Sequence, residues 1–531
     1  MSDRQRVAVV TGGGGGIGAA IAESISRTGA FVVTVDPLVS VDGSEKLPQP
    51  EQTTAGRIVA AGGAALASGV SVTDESGVRQ LFGELADEFS GLDVVVNVAG
   101  ISRPTGFAKG SDDDWLSVLS VHLDGYRNVL GAALPLMAAA GRGHILGVTS
   151  GSGWRAADAG AYGCAKRAVA SLTWQLGRHA PAGVVVNAIS PIAATRMVAA
   201  ALGGKMPTGG AATGGLSLGA MPAPEDLGPL GAHLVSEGFS RCHGRVLFAG
   251  GSEVAVIDEP RLIEVVRSDA VPSTAHLVQA ATAIALARAE ANQVSGGGSN
   301  ARFGALFDEP PVEEIPTSAA RSCAVVSDRP EVARAMAAAL EARGVGCHLI
   351  DAPESLAGLD ALDAVVVATA GGPAGSGAAS GWQRILDEHD GIVGRIDADA
   401  RWTRAVAELA TTTGRPIRLV TITDATTAGG RSRAQASAQL ARAGRQSTGE
   451  LVLPFAVSAE SDCADFRGPA ELAAHLVCSP EAVDLAGAEL VTGAGWFGLR
   501  SHPRPIGSIS FGGPAVPDWF DDALAEVVQP R

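Results

Sequence analysis

Residues 6–36 read RVAVVTGGGGGIGAAIAESISRTGAFVVTVD, and this stretch decides the fold. Arg6 to Val10 is an apolar run of the kind that forms a strand buried on both faces. Thr11 then leads into five glycines, Ile17 and Gly18, and AAIAESISRTG follows with the composition of a helix. FVVTVD is a second strand, ending in Asp36. The glycines are spaced G-x-x-x-G-x-G at Gly12, Gly16 and Gly18. Between a strand and a helix they let backbone N–H groups approach a diphosphate, which also meets the positive end of the helix. A flexible linker of five glycines would not sit inside strand–turn–helix–strand. Asp36 is placed to accept ribose hydroxyls and to repel a 2′-phosphate, which favours NAD over NADP.

A second stretch, residues 143–167, reads GHILGVTSGSGWRAADAGAYGCAKR. A short strand, Ile145 to Val148, drops into a polar turn with Thr149, Ser150 and Ser152. Tyr162 and Lys166 follow on a helix, four residues apart and hence on one face. Serine can hold a carbonyl or alcohol oxygen while a phenol transfers the proton, and lysine can lower the phenol's pKa by charge. Without such help a tyrosine, with its usual pKa of about 10, is a poor base at neutral pH. Tyr162 is one of only two tyrosines in the chain, which favours a special role for it.

Composition narrows the class. With 531 residues the chain fits two or three domains. Mean hydropathy is +0.21, yet Gly, Pro or charge interrupts every long apolar run, so no membrane span is expected. MSDRQR runs at once into VAVV, leaving no room for a signal peptide, and a cytoplasmic location is expected. The net charge of −16 opposes nucleic acid and anionic membrane as partners. Six cysteines, none in a CxxC pair, indicate neither a disulfide framework nor a metal site. Ser150 lacks the G-x-S-x-G elbow of a hydrolase.

Between the two motifs lie a polar insertion at 37–55 and the strand-forming DVVVNVAG, where Ala99 and Gly100 would let backbone pass beside a cofactor. A helix is expected over 113–140, and GVVVNAIS forms a sixth strand before Pro191 and Thr195. Residues 197–225, rich in Ala, Gly, Met and Pro, read as a mobile lid. A first domain over 1–257 closes with RVLFAGG, and 258–322 reads as a helical, then acidic and Pro-rich linker. Residues 323–531 repeat the order of the first domain, with LDAVVVATAGG similar to LDVVVNVAG and IRLVTITDATTAG similar to HILGVTSGSG. The chemistry of this copy is lost. SDRPE replaces the glycine turn, Asp424 falls where Ser150 does, and Gln435 and Gln439 stand for Tyr162 and Lys166. An amide cannot serve as an acid/base near neutrality, so this half is expected to be non-catalytic.

Residues 5–257 resemble a classical short-chain dehydrogenase/reductase, on TGGGGGIG, Asp36, Asn97 to Gly100, Ser150, Tyr162, Lys166 and Pro191 to Thr195. The resemblance implies two Rossmann-like, doubly wound parallel-sheet α/β domains in tandem, the second degenerate. It implies that Ser150 orients the substrate oxygen, Tyr162 is the acid/base, and Lys166 binds the nicotinamide ribose. Asn97 and Thr195 would hold the cofactor, beside Gly12, Gly16, Ile17, Gly18, Asp36, Ala99, Gly100 and Pro191. VDGSEK within the 37–55 insertion and VHLDGYRNVLGAALPLM are also similar to the dehydrogenase part of multifunctional β-oxidation enzymes, which oxidise 3-hydroxyacyl-CoA. There are departures. His122 stands where the family places the asparagine of a proton relay, Ser71 where an aspartate touches adenine, and Ile192 where a glycine follows Pro191. The Ser150–Tyr162 gap is one residue short. The expected activity is NAD-dependent interconversion of a secondary alcohol and a ketone on a small-molecule substrate, with a 3-hydroxyacyl-CoA or another bulky hydroxy compound as candidates. The alternative is a silent NAD-binding scaffold. Relatives pair through the helices here at 113–140 and 161–179. The second half, through 400–413 and 432–443, is expected to cover them within the chain, and two chains would give a homodimer of four domains.

Overall fold

The computed structural model describes residues 4–155, 158–201, 221–267, 274–295, 320–359, 361–370, 372, 377, 380–460, 466–513 and 515–528. Most of the expected lid (202–220) and the Pro-rich part of the expected linker lie outside the described residues.

The strands in chain order begin with β1 (Val7–Thr11), β2 (Phe31–Val35), β3 (Ala64–Ser68), β4 (Val94–Asn97), β5 (Gly143–Val148), β6 (Val184–Pro191), β7 (Val246–Gly250) and β8 (Glu253–Ile257). The rest are β9 (Leu262–Arg267), β10 (Ser322–Val326), β11 (Gly346–Leu349), β12 (Ala364–Thr369), β13 (Ile417–Asp424), β14 (Val452–Ala459), β15 (Glu489–Gly493), β16 (Trp496–Arg500) and β17 (Pro505–Ser510). They build two sheets. One has the order β17-β8-β7-β6-β5-β4-β1-β2-β3, the other β11-β10-β12-β13-β14-β15-β16-β9. In each the chain runs parallel up to a final antiparallel pair at one edge. The residues of β1 and β4 are buried throughout, as strands covered by helices on both faces must be. The tandem, doubly wound α/β architecture expected from the sequence is therefore present.

The second sheet repeats the first from β2 onward and, among the described residues, has no counterpart of β3. Between β11 and β12 the described chain forms only the short 3-10 turn Pro353–Gly358. Two strands cross the division expected at 257/258. Residues 262–267, within the stretch read as linker, pair antiparallel with β16 of the second sheet. In return β17 pairs antiparallel with β8 of the first. The helix Thr274–Ala281 packs beside Arg467–Cys478 and so belongs to the second half. The final helix, Phe520–Val528, packs into the core of the first, where the imidazole of His233 meets the carboxylate of Asp521 at 2.7 Å.

Between the sheets, the helix Gly160–Gly177 lies against Ala428–Ser447, and Asp112–Leu119 against Ile392–Thr413. These are the faces expected to pair. One apolar core runs across the junction, with Phe107 and Trp115 of the first half in the same cluster as Trp402 and Leu440 of the second. A Cβ added to Gly444 would lie 2.5 Å from the ring of Phe107, so glycine sets how closely the halves approach. No helix among the described residues is long and apolar enough to cross a membrane, and no cluster of potential metal ligands occurs among them.

Candidate active site

The glycine loop follows β1 and turns back on itself. Gly12 has φ +64°, and a Cβ there would lie 2.8 Å from the backbone nitrogen of Ala99. A Cβ on Gly18 would lie 2.2 Å from the carbonyl oxygen of Gly12, so the helix Gly16–Ser26 can start this close to the strand only with glycine. Asp36, at the end of β2, closes the loop. Its carboxylate accepts the N–H of Gly14 at 3.0 Å and of Leu38 at 2.8 Å, which fixes both oxygens and leaves each a further lone pair. Thr11 donates to the side-chain oxygen of Asn97 at 2.8 Å and accepts from the N–H of Ala99, tying β4 to the loop.

The second cluster stands across the sheet. Ser150 accepts the N–H of Ser152 at 3.3 Å and caps a single 3-10 turn, Gly151–Gly153. Lys166 donates to the carbonyl of Val148 at 2.8 Å and lies 5.5 Å from the centre of the Tyr162 ring. His122 sits in a π-helical turn, Ser120–Asp124, an insertion that often marks functional sites. Its ring meets that of Tyr162 edge-on at 5.2 Å. A Cβ on Gly100 would lie 2.3 Å from this imidazole, so that glycine makes room for it. His122 Nε2 is 2.8 Å from the carbonyl of Ile101, which can only accept, so Nε2 carries the proton. Nδ1 is buried and has no partner, a free acceptor beside the phenol.

Burial dominates the electrostatics. It raises the Tyr162 phenol above its ordinary value, opposed by the hydrogen bond with Ser150. It also pulls Lys166 down to about 7, and burial with the nearby Lys166 charge holds His122 well below the usual imidazole range. At the phenol the hydrogen bond with Ser150 works against burial.

Both clusters open into one cavity of about 940 Å³, at the upper end of the range of ligand clefts. Of the residues singled out in the sequence, Gly12, Gly16, Ile17, Asp36, Ala99, Gly100, His122, Ser150, Tyr162, Lys166, Pro191 and Thr195 line it. Gly18 and Asn97 do not, and act through Gly12 and Thr11. Ser71 and Ile192 also reach the wall. Ile192 is held there by its N–H on the carbonyl of Ala249. Sequence reasoning missed two walls: Val39 to Val41 of the 37–55 insertion, and the turn at Trp154 and Arg155. A dinucleotide fits the residues present. The glycines form a cradle that any Cβ would fill, and Asp36 presents free lone pairs at its end.

A short chain dehydrogenase family model matches residues 6–203. Over 255 residues the chain is 34% identical to the cis-4-hydroxycyclohexanecarboxylate dehydrogenase of Sinomonas cyclohexanicum, covering 98% of that protein and 48% of this chain. The chain belongs to the short-chain dehydrogenase/reductase family. It is thus an NAD(P)-dependent oxidoreductase acting on CH–OH groups. This short-chain dehydrogenase/reductase is also 34% identical, over 199 residues, to peroxisomal multifunctional enzyme A of Dictyostelium discoideum, a match covering 37% of this chain and 44% of that one. Among solved structures, the N-domain, with NADP, of a bacterial malonyl-CoA reductase is similar at TM-score 0.63 and 16% identity. That likeness is one of fold, and it covers 92% of this chain and 97% of the other, both halves included.

In this short-chain dehydrogenase/reductase the second half reaches the turn that carries Ser150. Arg167 follows Lys166 and donates to the carbonyl of Gly153 at 3.1 Å. Its guanidinium also donates to Gln435 at 2.7 Å and pairs with the buried carboxylate of Glu489. Burial alone would raise that carboxyl, but Arg167 and His502 beside it hold it down to about 2. Gln439 donates to the carbonyl of Arg155 at 2.9 Å. Gln435 and Gln439 therefore do not occupy the places of Tyr162 and Lys166, as the sequence suggested. They face the first half. Arg433 of that helix is instead forked onto Asp399 and bonded to the carbonyl of Ala370, and Ser437 donates to the same carboxylate.

Proposed function

We propose that this short-chain dehydrogenase/reductase interconverts a secondary alcohol and a ketone with NAD, using Tyr162 as acid/base. The observation that carries this reading is the meeting of Ser150, Tyr162, Lys166 and His122 at one end of a cavity whose other end is Asp36 and the glycine loop. In alcohol oxidation Ser150 would hold the substrate oxygen and Tyr162 would take its proton. The free Nδ1 of His122 would accept from a water that carries the proton away, and Lys166 would hold the cofactor ribose. Nicotinamide, when bound, supplies or accepts the hydride. The substrate to test first is a 3-hydroxyacyl-CoA, on the likeness to peroxisomal multifunctional enzyme A, and next a cyclic hydroxy acid. Reduction of NAD by the purified protein over such a panel tests the reading. No reduction with any member would overturn it. The same reading has the enzyme as a cytoplasmic homodimer of four sheet domains, with one pairing already made inside each chain.

Asp36 should set the cofactor. Its carboxylate would face the 2′-phosphate of NADP in a partly dry cleft, where like charges repel. NAD is expected to be favoured in kcat/KM, and Asp36→Ala to narrow the preference. Equal kcat/KM for both cofactors in the unmodified enzyme contradicts this.

The second half is proposed to be non-catalytic and to take no dinucleotide. Arg433 is bonded to Asp399 and the Ala370 carbonyl, and Ser327 and Asp328 of the shortened turn are bonded to the Ala368 carbonyl and the Ala370 N–H. Calorimetric titration should give one NAD per chain. Two per chain would overturn this.

A further inference from the structure

The charge of the cavity runs against that of the molecule. The protein carries a net −16, yet among the described residues Asp36 is the only carboxylate lining the cavity, against Arg103, Arg155, Lys166 and Arg196. Asp36 is at the cofactor end and tied to backbone N–H groups. Arg103 is neutralised by Asp113 and Asp114. Arg155 and Arg196 form no ion pair and no side-chain hydrogen bond among the described residues. They differ in place. Arg196 follows Thr195, whose methyl lies 3.7 Å from where a Cβ of Gly16 would be, on the diphosphate side. Arg155 rises from the turn of Ser150. Its side chain folds back over Gly151, where an added Cβ would lie 3.1 Å from Nε and 3.3 Å from Cζ. The solvent-exposed guanidinium thus lies one residue beyond the serine that would hold the reacting oxygen. The backbone beneath it is fixed by Gln439 from the second half. Trp154, Met197, Val198 and Phe248 give the same cavity an apolar lining. A cation in such a cavity is desolvated as a substrate fills the space, and that is favourable only if the substrate brings an anion.

We propose that Arg155 anchors an anionic oxyacid group, carboxylate or phosphate, on an alcohol substrate whose remaining surface is apolar. This rests on the alcohol–ketone reading above and deepens it by naming the substrate class. Arg155 would act through a planar, two-pronged contact that lysine reproduces only as a point charge.

The test separates binding from turnover. The NAD-loaded enzyme is titrated by calorimetry with isobutyrate, with its neutral isostere isobutyramide, and with inorganic phosphate. At least one anion is expected to bind about tenfold or more tighter than the amide, the scale of a charge-assisted hydrogen bond. Preference for isobutyrate identifies a carboxylate substrate, and preference for phosphate a phosphorylated or CoA-linked one. Arg155→Gln should erase the preference and Arg155→Lys recover part of it. Equal affinities for all three probes in the unmodified enzyme, or a preference that survives Arg155→Gln, would overturn the proposal. Anion preference in a protein that reduces no NAD with any secondary alcohol would support the anchor and sink the alcohol–ketone reading instead.

Discussion

Tyr162→Phe is expected to lower kcat by about 10²-fold or more while leaving NAD affinity within a few fold. The substitution removes one hydroxyl and keeps the ring that packs edge-on against His122, so the cavity keeps its shape. The sign of the pH dependence follows from the same site. Because burial raises the phenol, its deprotonated form is scarce at neutral pH. Alcohol oxidation, which needs that form, should quicken as pH rises above neutrality, and ketone reduction should not. Lys166→Ala should differ from Tyr162→Phe by damaging NAD binding as well as rate. Kinetics beside cofactor titration distinguishes the two variants, and a Tyr162→Phe enzyme of near-normal rate ends the assignment.

Arg167→Ala is expected to cost about 3–5 kcal/mol of stability, because it strands the buried carboxylate of Glu489 without its cation. Denaturant unfolding measures this. The effect should extend to catalysis. Arg167 holds the Gly153 carbonyl on the turn that begins at Ser150, and a displacement of about 1 Å in a reacting group can cost up to 10²-fold. The sharper variant is Glu489→Gln, in β15 of the second sheet, which lines no part of the cavity. It keeps the shape, removes the charge, and should lower kcat about tenfold at temperatures where the protein remains folded. A Glu489→Gln enzyme with full kcat and parental stability would show that the second half does not position Ser150.

How much of this was legible in the sequence depended on distance along the chain. The glycine loop, Asp36 and the Tyr162–Lys166 pair are local patterns, in which backbone geometry fixes the spacing that chemistry needs. The clefts between them are not local. Arg155 and the 37–55 insertion reach the cavity by contacts that no short window records. The two glutamines were matched to the active pair by similar wording of the two segments. At about 100° per residue, a slip of two positions along a helix turns a side chain through roughly 200°, to the opposite face. Gln435 and Gln439 lie two positions from Arg433 and Ser437, and on the other side. Burial, too, is a property of the assembled fold, and it raises the Tyr162 phenol and lowers Lys166. The pairing of β9 with β16 and of β8 with β17 joins strands more than 200 residues apart, beyond any local signal.

That exchange of strands bears on how the enzyme is made. A chain leaving the ribosome presents its amino-terminal half first, and such halves ordinarily fold while the rest is still being translated. Here β8 stays an open edge until residues 505–510 emerge, and the apolar seat of Phe520 and Leu524 stays uncovered until the final helix follows. An open edge and an exposed apolar seat are the features that draw nascent chains into aggregates. The half that carries Tyr162 is begun before the second half and completed only after residues 505–510, so a chain broken off before residue 505 has its reacting residues in place and its sheet unfinished.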